Sequence, residues 1–357
     1  MQKIKVFFLI LFLVTFCLTV LSQIYQQPQA VPGEYIVKYK NSIDLHSNKI
    51  TKYMDSGITV KDVFTETRLM HISVDSEWAQ LSLLTDPDFD YVEPNYILSV
   101  DPYLESEHHS DEALPESYKQ SKARVQVTES WAFQKPNNLG GKIIVAVVDT
   151  GLDRDHLLFK NSVSIWNNLA ELNGTDEVDD DRNGLIDDYN GWNFLTNDNN
   201  INDDHSHGTH VSGIVLGVGQ DILADSVRES KIKIMGLKFL NAAGVVTMSN
   251  AIKAMEYAIR NGARVINNSW GCQSFSQSLL DVYAYANNQG VLVVSAAGNS
   301  NTNNDVSPFY PASFNTPNNI SVLATTDNDI KASFSNYGTS SVSIGAPGVA
   351  IISSAPE

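Results

Sequence analysis

The chain has 357 residues, enough for one large domain with a smaller one beside it. A hydrophobic fraction of 43% supports a sizeable core. A formal net charge of −17 argues against nucleic acid as a partner, because phosphate binding needs a basic face; it suits solubility outside a cell or the binding of cations.

Residues 1–22 have the layout of a secretory signal peptide. Lys3 and Lys5 form a short positive region, an apolar run extends from Val6 to Phe16 and on to Leu21, and Ser22 is a small residue at the expected cut. The run is short against the roughly 20 apolar residues of a spanning helix. The expected location is therefore secreted, with the membrane met only during export. Of the two cysteines, Cys17 leaves with the signal peptide. Cys272 then has no intrachain partner and reads as a small buried residue.

Residues 28–100 read as a small α+β module. Glu34–Tyr39 and Met70–Val74 alternate as strands do, Glu77–Leu84 reads as a short helix, and Tyr91–Leu98 is an apolar segment interrupted by Pro94. Residues 101–120 carry Glu105, Glu107, Asp111, Glu112 and Glu116 with little apolar content, which predicts an exposed acidic linker open to proteolytic processing. Residues 121–357 form the larger domain. Apolar runs at Ile143–Val148, Ile232–Met235, Arg264–Ile266, Val291–Val294 and Ile320–Leu323 suit strands buried on both faces. Helical spacing over Asn250–Asn261 and Ser278–Gln289 ends at Gly262 and Gly290. Alternating strands and helices predict an α/β fold with a doubly wound, mainly parallel sheet. Active residues of such sheets gather beyond the carboxyl ends of the strands.

Asp149 ends the first of these runs, where a carboxylate is costly to bury without a partner. By itself it reads first as a structural group capping nearby amides. His207-Gly208-Thr209-His210 then opens a helix, and a histidine there can meet a strand-end aspartate and be held in one tautomer as a general base. Asn299 follows another strand and can donate its amide to a developing oxyanion.

These segments, in the order Asp149-Thr150-Gly151, His207-Gly208-Thr209-His210, Ser269-Trp270-Gly271, Ala297-Gly298-Asn299 and Ala346-Pro347-Gly348, resemble the subtilisin-like serine protease (subtilase) family. The resemblance runs from Gly141 to the end of the chain. Residues 28–100, with Tyr91-Val92-Glu93-Pro94-Asn95 near their end, are similar to the family's inhibitor-type propeptide, which implies a ferredoxin-like fold and an intramolecular inhibitor. By this resemblance Asp149 orients the base, His207 is the base and later the acid, and Asn299 is the oxyanion donor. Ser269, Trp270 and Gly271, with Ala297 and Gly298, are then the substrate-binding residues. The substrates implied are proteins or peptides, bound by a monomer. The family's nucleophile lies in a Gly-Thr-Ser-Met-Ala-type motif after Ala-Pro-Gly, and Glu357 precedes any such motif, so the expectation is a fragment of a longer active protease. A catalytically dead protein that binds peptides is the alternative. Gly338-Thr339-Ser340 carries three of the letters but precedes Ala346, reads as a loop, and is followed by Ser341–Ile344, which reads as a strand.

The acidic run 179–188 resembles a calcium loop, with oxygen ligands at alternate positions and Gly184 at the sixth. Asp179, Asp181, Asn183 and Asp187 are the candidate ligands, with Leu185 through its carbonyl. Position twelve is Asn190 and not a glutamate, so the loop departs from an EF-hand, and a solvated acidic loop is the competing reading. His205, His207 and His210 lack the intervening glutamate of a zinc peptidase, and His210 reads as a packed core residue.

Overall fold

The computed structural model describes residues 29–40, 56–100, 142–160, 163–217 and 231–356. The expected signal peptide, the acidic linker and the first part of the larger domain lie outside the described residues.

The N-terminal module is built from β1 (Ala30–Tyr39), β2 (Ile58–Phe64), β3 (Leu69–Val74), α1 (Glu77–Leu84) and β4 (Phe89–Ser99). Its strands pair antiparallel in the order β2-β3-β1-β4. Ser76 starts α1 by accepting the Ala79 N–H at 3.2 Å, the usual work of a short hydroxyl at a helix start. Val37, Met70, Ile72, Ala79 and Leu83 close one small core. Pro94 sits within β4, paired with Tyr35 beside a register shift, where the missing N–H is tolerated.

The larger domain continues with β5 (Ile143–Asp149), α2 (Leu169–Leu172), β6 (Gly191–Asn193), α3 (His207–Gly217), β7 (Ile232–Lys238), β8 (Val245–Thr247) and α4 (Met248–Arg260). Then come β9 (Val265–Asn268), α5 (Gln277–Asn288), β10 (Leu292–Ala296), β11 (Asn319–Thr325) and β12 (Ile344–Pro347). Seven of these strands form one parallel sheet in the order β12-β11-β10-β9-β5-β7-β6. The sheet is covered on both faces, as the continuous apolar runs require. Along β5, Val145 and Val147 pack with Leu216 of α3. Ala146 and Val148 face the other way, into the core that holds Ala251 and Met255 of α4 and Val282 of α5.

The expected helices and buried strands are present within two or three residues of their predicted ends. Gly262 and Gly290 follow α4 and α5 with φ of 81° and 69°, the left-handed conformation that suits glycine after a helix. Ser341–Ile344 is not a strand. Asp305 gathers the backbone N–H groups of Thr339 and Ser341 at 2.7 and 2.9 Å, which holds that stretch as a loop, and the strand begins at Ile344. Three strands, β2, β6 and β8, carry no expectation from the sequence. β8 is three residues long and finds its partner in the other module: it pairs antiparallel with β4 and becomes the fifth strand of the N-terminal sheet.

Candidate active site

Asp149 is the last residue of β5 and is fully buried. Its Oδ1 accepts the Thr150 N–H at 2.8 Å and lies 2.6 Å from His207 Nδ1. A carboxylate only accepts, so Nδ1 carries the proton and Nε2 is left on the far side of the ring with its lone pair. Asp149 Oδ2 is buried and meets no hydrogen-bond donor among the described residues. Burial alone would lower the His207 pKa. The negative charge of Asp149, its hydrogen bond and the more distant Asp203 outweigh that, and the net shift is upward.

The close approach of helix to strand has a local cause. A Cβ on Gly208 would collide with the Gly151 carbonyl oxygen, and one on Gly151, where φ is 132°, would collide with the Ile201 carbonyl oxygen. Asp203 satisfies the free amides before and inside the first turn of α3. It accepts from His205 N at 3.0 Å, Ser206 N at 2.9 Å and Thr209 N at 2.8 Å. Burial would raise its carboxyl, but these donors hold it below the usual range. Thr150 Oγ1 donates to Asp203 at 2.8 Å and accepts from Gly208 N at 2.9 Å, which ties the strand end to the helix start. Thr150, Asp203 and Lys238, whose Nζ reaches the Thr150 carbonyl at 2.6 Å, were not singled out from the sequence. The signal available was Asp203 itself, a short acidic residue just ahead of a helix. His210 is buried as expected, with Nε2 3.2 Å from the Ile351 carbonyl.

The segment after β9 divides its labour. The Trp270 side chain is buried, 5.1 Å from the Phe239 ring between centroids, and donates Nε1–H to the Val148 carbonyl at 3.1 Å. It therefore braces β5 from inside the core. Gly271 exposes backbone instead: it donates to the Ser99 carbonyl at 3.0 Å and accepts the Ser99 N–H at 3.4 Å. Val100 N–H donates to the Gly244 carbonyl at 2.9 Å. The end of β4 is thus an extended strand held between β8 and Gly271. Ser269 Oγ lies 2.9 Å from Asn267 Nδ2. Ala297 is buried, Gly298 has φ of 106°, and Asn299 follows half-buried. Ser340 Oγ donates to Asp305 at 2.9 Å and so is engaged in its own loop. The chain after Ala346-Pro347-Gly348 returns to α3, where Ser353 and Ser354 hydroxyls donate to the His210 and Thr209 carbonyls at 2.7 and 2.8 Å.

The acidic loop is rearranged relative to expectation. Asp179 is spent on the Asn183 and Gly184 amides at 3.0 and 2.8 Å. Asn183 Oδ1 accepts Leu185 N–H at 2.8 Å, and Asp187 Oδ2 accepts Glu177 N–H at 2.9 Å. The carboxylates that converge are Glu171, Asp181 and Asp188, with ligand atoms within 4.8 Å of one another. Of the three expected carboxylate ligands, Asp181 is in this set and Asp179 and Asp187 are not. Glu171 comes from α2, outside the loop, so no loop spacing could have pointed to it. Asp188 is fully buried, and burial pushes its carboxyl up to about 6 although Tyr257, Asn183 and Asn168 all donate to it. Three converging carboxylates, two of them buried, fit a hard cation bound through oxygen.

Some relatives are far longer than this chain, which spans 16% of their length. At 34% identity over 237 residues, 65% of this chain, the chain is similar to subtilisin-like protease 2 of Plasmodium falciparum (isolate 3D7), of whose length it spans 16%. Thermophilic serine proteinase of Bacillus sp. (strain AK1) is 30% identical over 330 residues, covering 90% of this chain and 71% of that protein. Thermitase of Thermoactinomyces vulgaris is 30% identical over 256 residues, 72% of this chain and 75% of thermitase. The crystal structure of fervidolysin from Fervidobacterium pennivorans shares the fold, with a TM-score of 0.63 at 20% identity over 93% of this chain and 49% of that one. The model of the subtilase family matches residues 140–356, and over that stretch the chain belongs to the subtilase family.

Proposed function

We propose that this chain is part of a secreted serine endopeptidase precursor that hydrolyses peptide bonds in proteins or peptides. The observation that carries the reading is the 2.6 Å contact between His207 Nδ1 and the buried Asp149 at the carboxyl end of a parallel strand. The reading requires a nucleophilic serine, which the family carries in a motif after Ala-Pro-Gly. His207 Nε2 takes the serine proton as Oγ attacks the scissile carbonyl, Asp149 stabilises the imidazolium, and Asn299 donates to the oxyanion. His207 then protonates the leaving amine, and water resolves the acyl-enzyme by the reverse sequence.

In this reading residues 28–100 are the propeptide. Support comes from the end of β4, which pairs by backbone with β8 and Gly271 as an extended peptide substrate would. Calcium, held by Glu171, Asp181 and Asp188, would neutralise a buried carboxylate cluster and fasten the loop between α2 and β6. A protein that binds peptides without cleaving them is the second reading. It is favoured by one observation, that backbone pairing at Gly271 needs no nucleophile.

The decisive experiment expresses the chain together with the residues that follow it and measures hydrolysis of a casein or peptide substrate, with labelling by a fluorophosphonate probe. Hydrolysis lost on His207→Ala is the expected result. Stable secreted protein that binds peptide but neither hydrolyses it nor takes the label would overturn the protease reading in favour of the second.

A further inference from the structure

Phe309 puts an aromatic ring where two glycine-bearing segments face each other. β9 and β10 are neighbouring parallel strands, with Asn268 beside Ser295. Ser269-Trp270-Gly271 and Ala297-Gly298-Asn299 therefore leave the same end of adjacent strands, with a cleft between them. Neighbouring strands lie about 4.8 Å apart, so the root of such a cleft admits one layer of side-chain atoms. The half-buried Phe309 ring takes that layer. A Cβ on Gly271 would fall 2.6 and 2.8 Å from its Cε1 and Cζ, and a Cβ on Gly298 would fall 3.1 Å from its Cδ1. The ring thus rests against both walls, and it fits because both walls are glycine.

Its position is fixed by the backbone around it. Phe309 N–H donates to Ser313 Oγ at 3.1 Å, and its carbonyl accepts the Ser313 N–H at 2.9 Å. Tyr310 exchanges two backbone hydrogen bonds with Cys272, at 2.7 and 2.8 Å, which clamps the residue after Phe309 to the residue after Gly271. The other wall is held as well. The Gly298 carbonyl accepts the Asn336 N–H at 2.7 Å, and the Ala297 carbonyl accepts from Asn304 Nδ2 at 2.8 Å. Widening the cleft would break several of these hydrogen bonds, each costly to leave unmade.

On the reading proposed above, Asn299 holds the oxygen of the scissile carbonyl, and Gly271 pairs with the peptide backbone upstream of it. The residue that supplies that carbonyl then lies beside Gly298, and its side chain is the one that enters the cleft. We infer that Phe309 is a specificity-determining residue, which fills this cleft and restricts the residue before the scissile bond to glycine, alanine or serine. Aromatic and long aliphatic side chains are excluded, because a ring packed between two fixed walls leaves no layer for a second ring to stack in. The inference rests on reading this cleft as the peptide site. It does not rest on cleavage, since a protein that only binds peptides would show the same preference.

The test uses two labelled peptides that copy Tyr96–Val100, the strand end already seated on Gly271, and differ only in one added carboxyl-terminal residue, alanine or phenylalanine. Their Kd values are measured on the full chain by fluorescence anisotropy. β4 competes with both peptides equally, so the ratio of the two Kd values is unaffected by it. In the wild type the alanine peptide is expected to bind about tenfold more tightly or better, the scale on which pockets discriminate apolar groups. Phe309→Ala opens the cleft and is expected to reverse the order. Phe309→Leu, closer in volume and informative even if Phe309→Ala fails to fold, is expected to reduce the ratio part of the way. The kcat/KM ratio for substrates with the same two residues before the scissile bond should follow the Kd ratio. Absence of hydrolysis would sink the protease reading alone and leave the Kd ratio to judge the cleft. A wild type that binds the phenylalanine peptide as tightly as the alanine peptide overturns the inference, as does a ratio that neither variant moves.

Discussion

Asp149 is fully buried, with Oδ1 shared between Thr150 and His207 and Oδ2 without a donor among the described residues. An ionised group so placed is held by the proton on His207 Nδ1. On the proposed protease reading, and in a chain extended to include a nucleophilic serine, Asp149→Asn is expected to lower kcat by about four orders of magnitude with little change in KM, because the histidine loses its tautomer and not its substrate. The pH profile follows from the same pair. His207 must be neutral at Nε2 to act as base, and Asp149 raises its pKa, so the acid limb of kcat/KM is expected above the ordinary histidine value of about 6.5. The stability that the charged pair contributes is fully present below that ordinary value and is lost as pH rises through the raised one. Gly208→Ala drives a methyl into the Gly151 carbonyl. Overpacking of this kind costs about 1–3 kcal/mol, and urea unfolding should show it together with loss of activity. Asp149 and His207 were legible in the sequence because each sits at a recognisable boundary, a strand end and a helix start. The motif did not reveal that the Trp270 side chain turns into the core, where it donates to the Val148 carbonyl.

At the scale of elements, each helix N-terminus facing the N-terminal module is capped by a residue of that module. Glu93 of β4 accepts from Gln277 N at 2.8 Å, Ser278 N at 3.2 Å and the hydroxyls of Ser276 and Ser278 at the start of α5. Asn95 does the same for α4 through Ser249 N. Glu93→Ala is expected to cost about 1–2 kcal/mol, read as a lower denaturation midpoint, and to loosen β4 more than β5 in hydrogen exchange. The helices and buried strands were legible because apolar periodicity and a closing glycine mark them. β8 was not, because Val245–Thr247 is a strand only by virtue of β4 beside it. The carboxylate cluster was legible only in Asp181 for a related reason: Asp188 lies in the acidic run but was not among the expected ligands, and Glu171 reaches the cluster from α2.

Across the whole molecule, two kinds of link join parts distant in sequence. One is the acidic cluster. On the proposed calcium reading, chelation is expected to lower Tm, and readdition at about 100 times Kd to restore about 2.7 kcal/mol; Glu171→Gln should shrink that difference while Asp179→Asn leaves most of it. The other is a shared core. Ile36, Leu69, Leu98 and Val100 of the N-terminal module belong to the same buried cluster as Met235, Met255 and Trp270. Leu98→Ala is expected to destabilise both modules together by about 2–5 kcal/mol, seen as one shifted transition and not two. The short strand β8 has a further consequence. If β4 departs, as the proposed propeptide reading has it, the amides and carbonyls of Gly244–Thr247 become an open sheet edge, the kind of surface on which other chains can add and aggregate. Three residues followed at once by α4 offer too little length for a second molecule to grow a sheet upon, yet enough to grip one extended peptide through its backbone. On that reading, the brevity that hid β8 from sequence reading would let its edge hold a single strand and stay safe from sheet growth with its own kind.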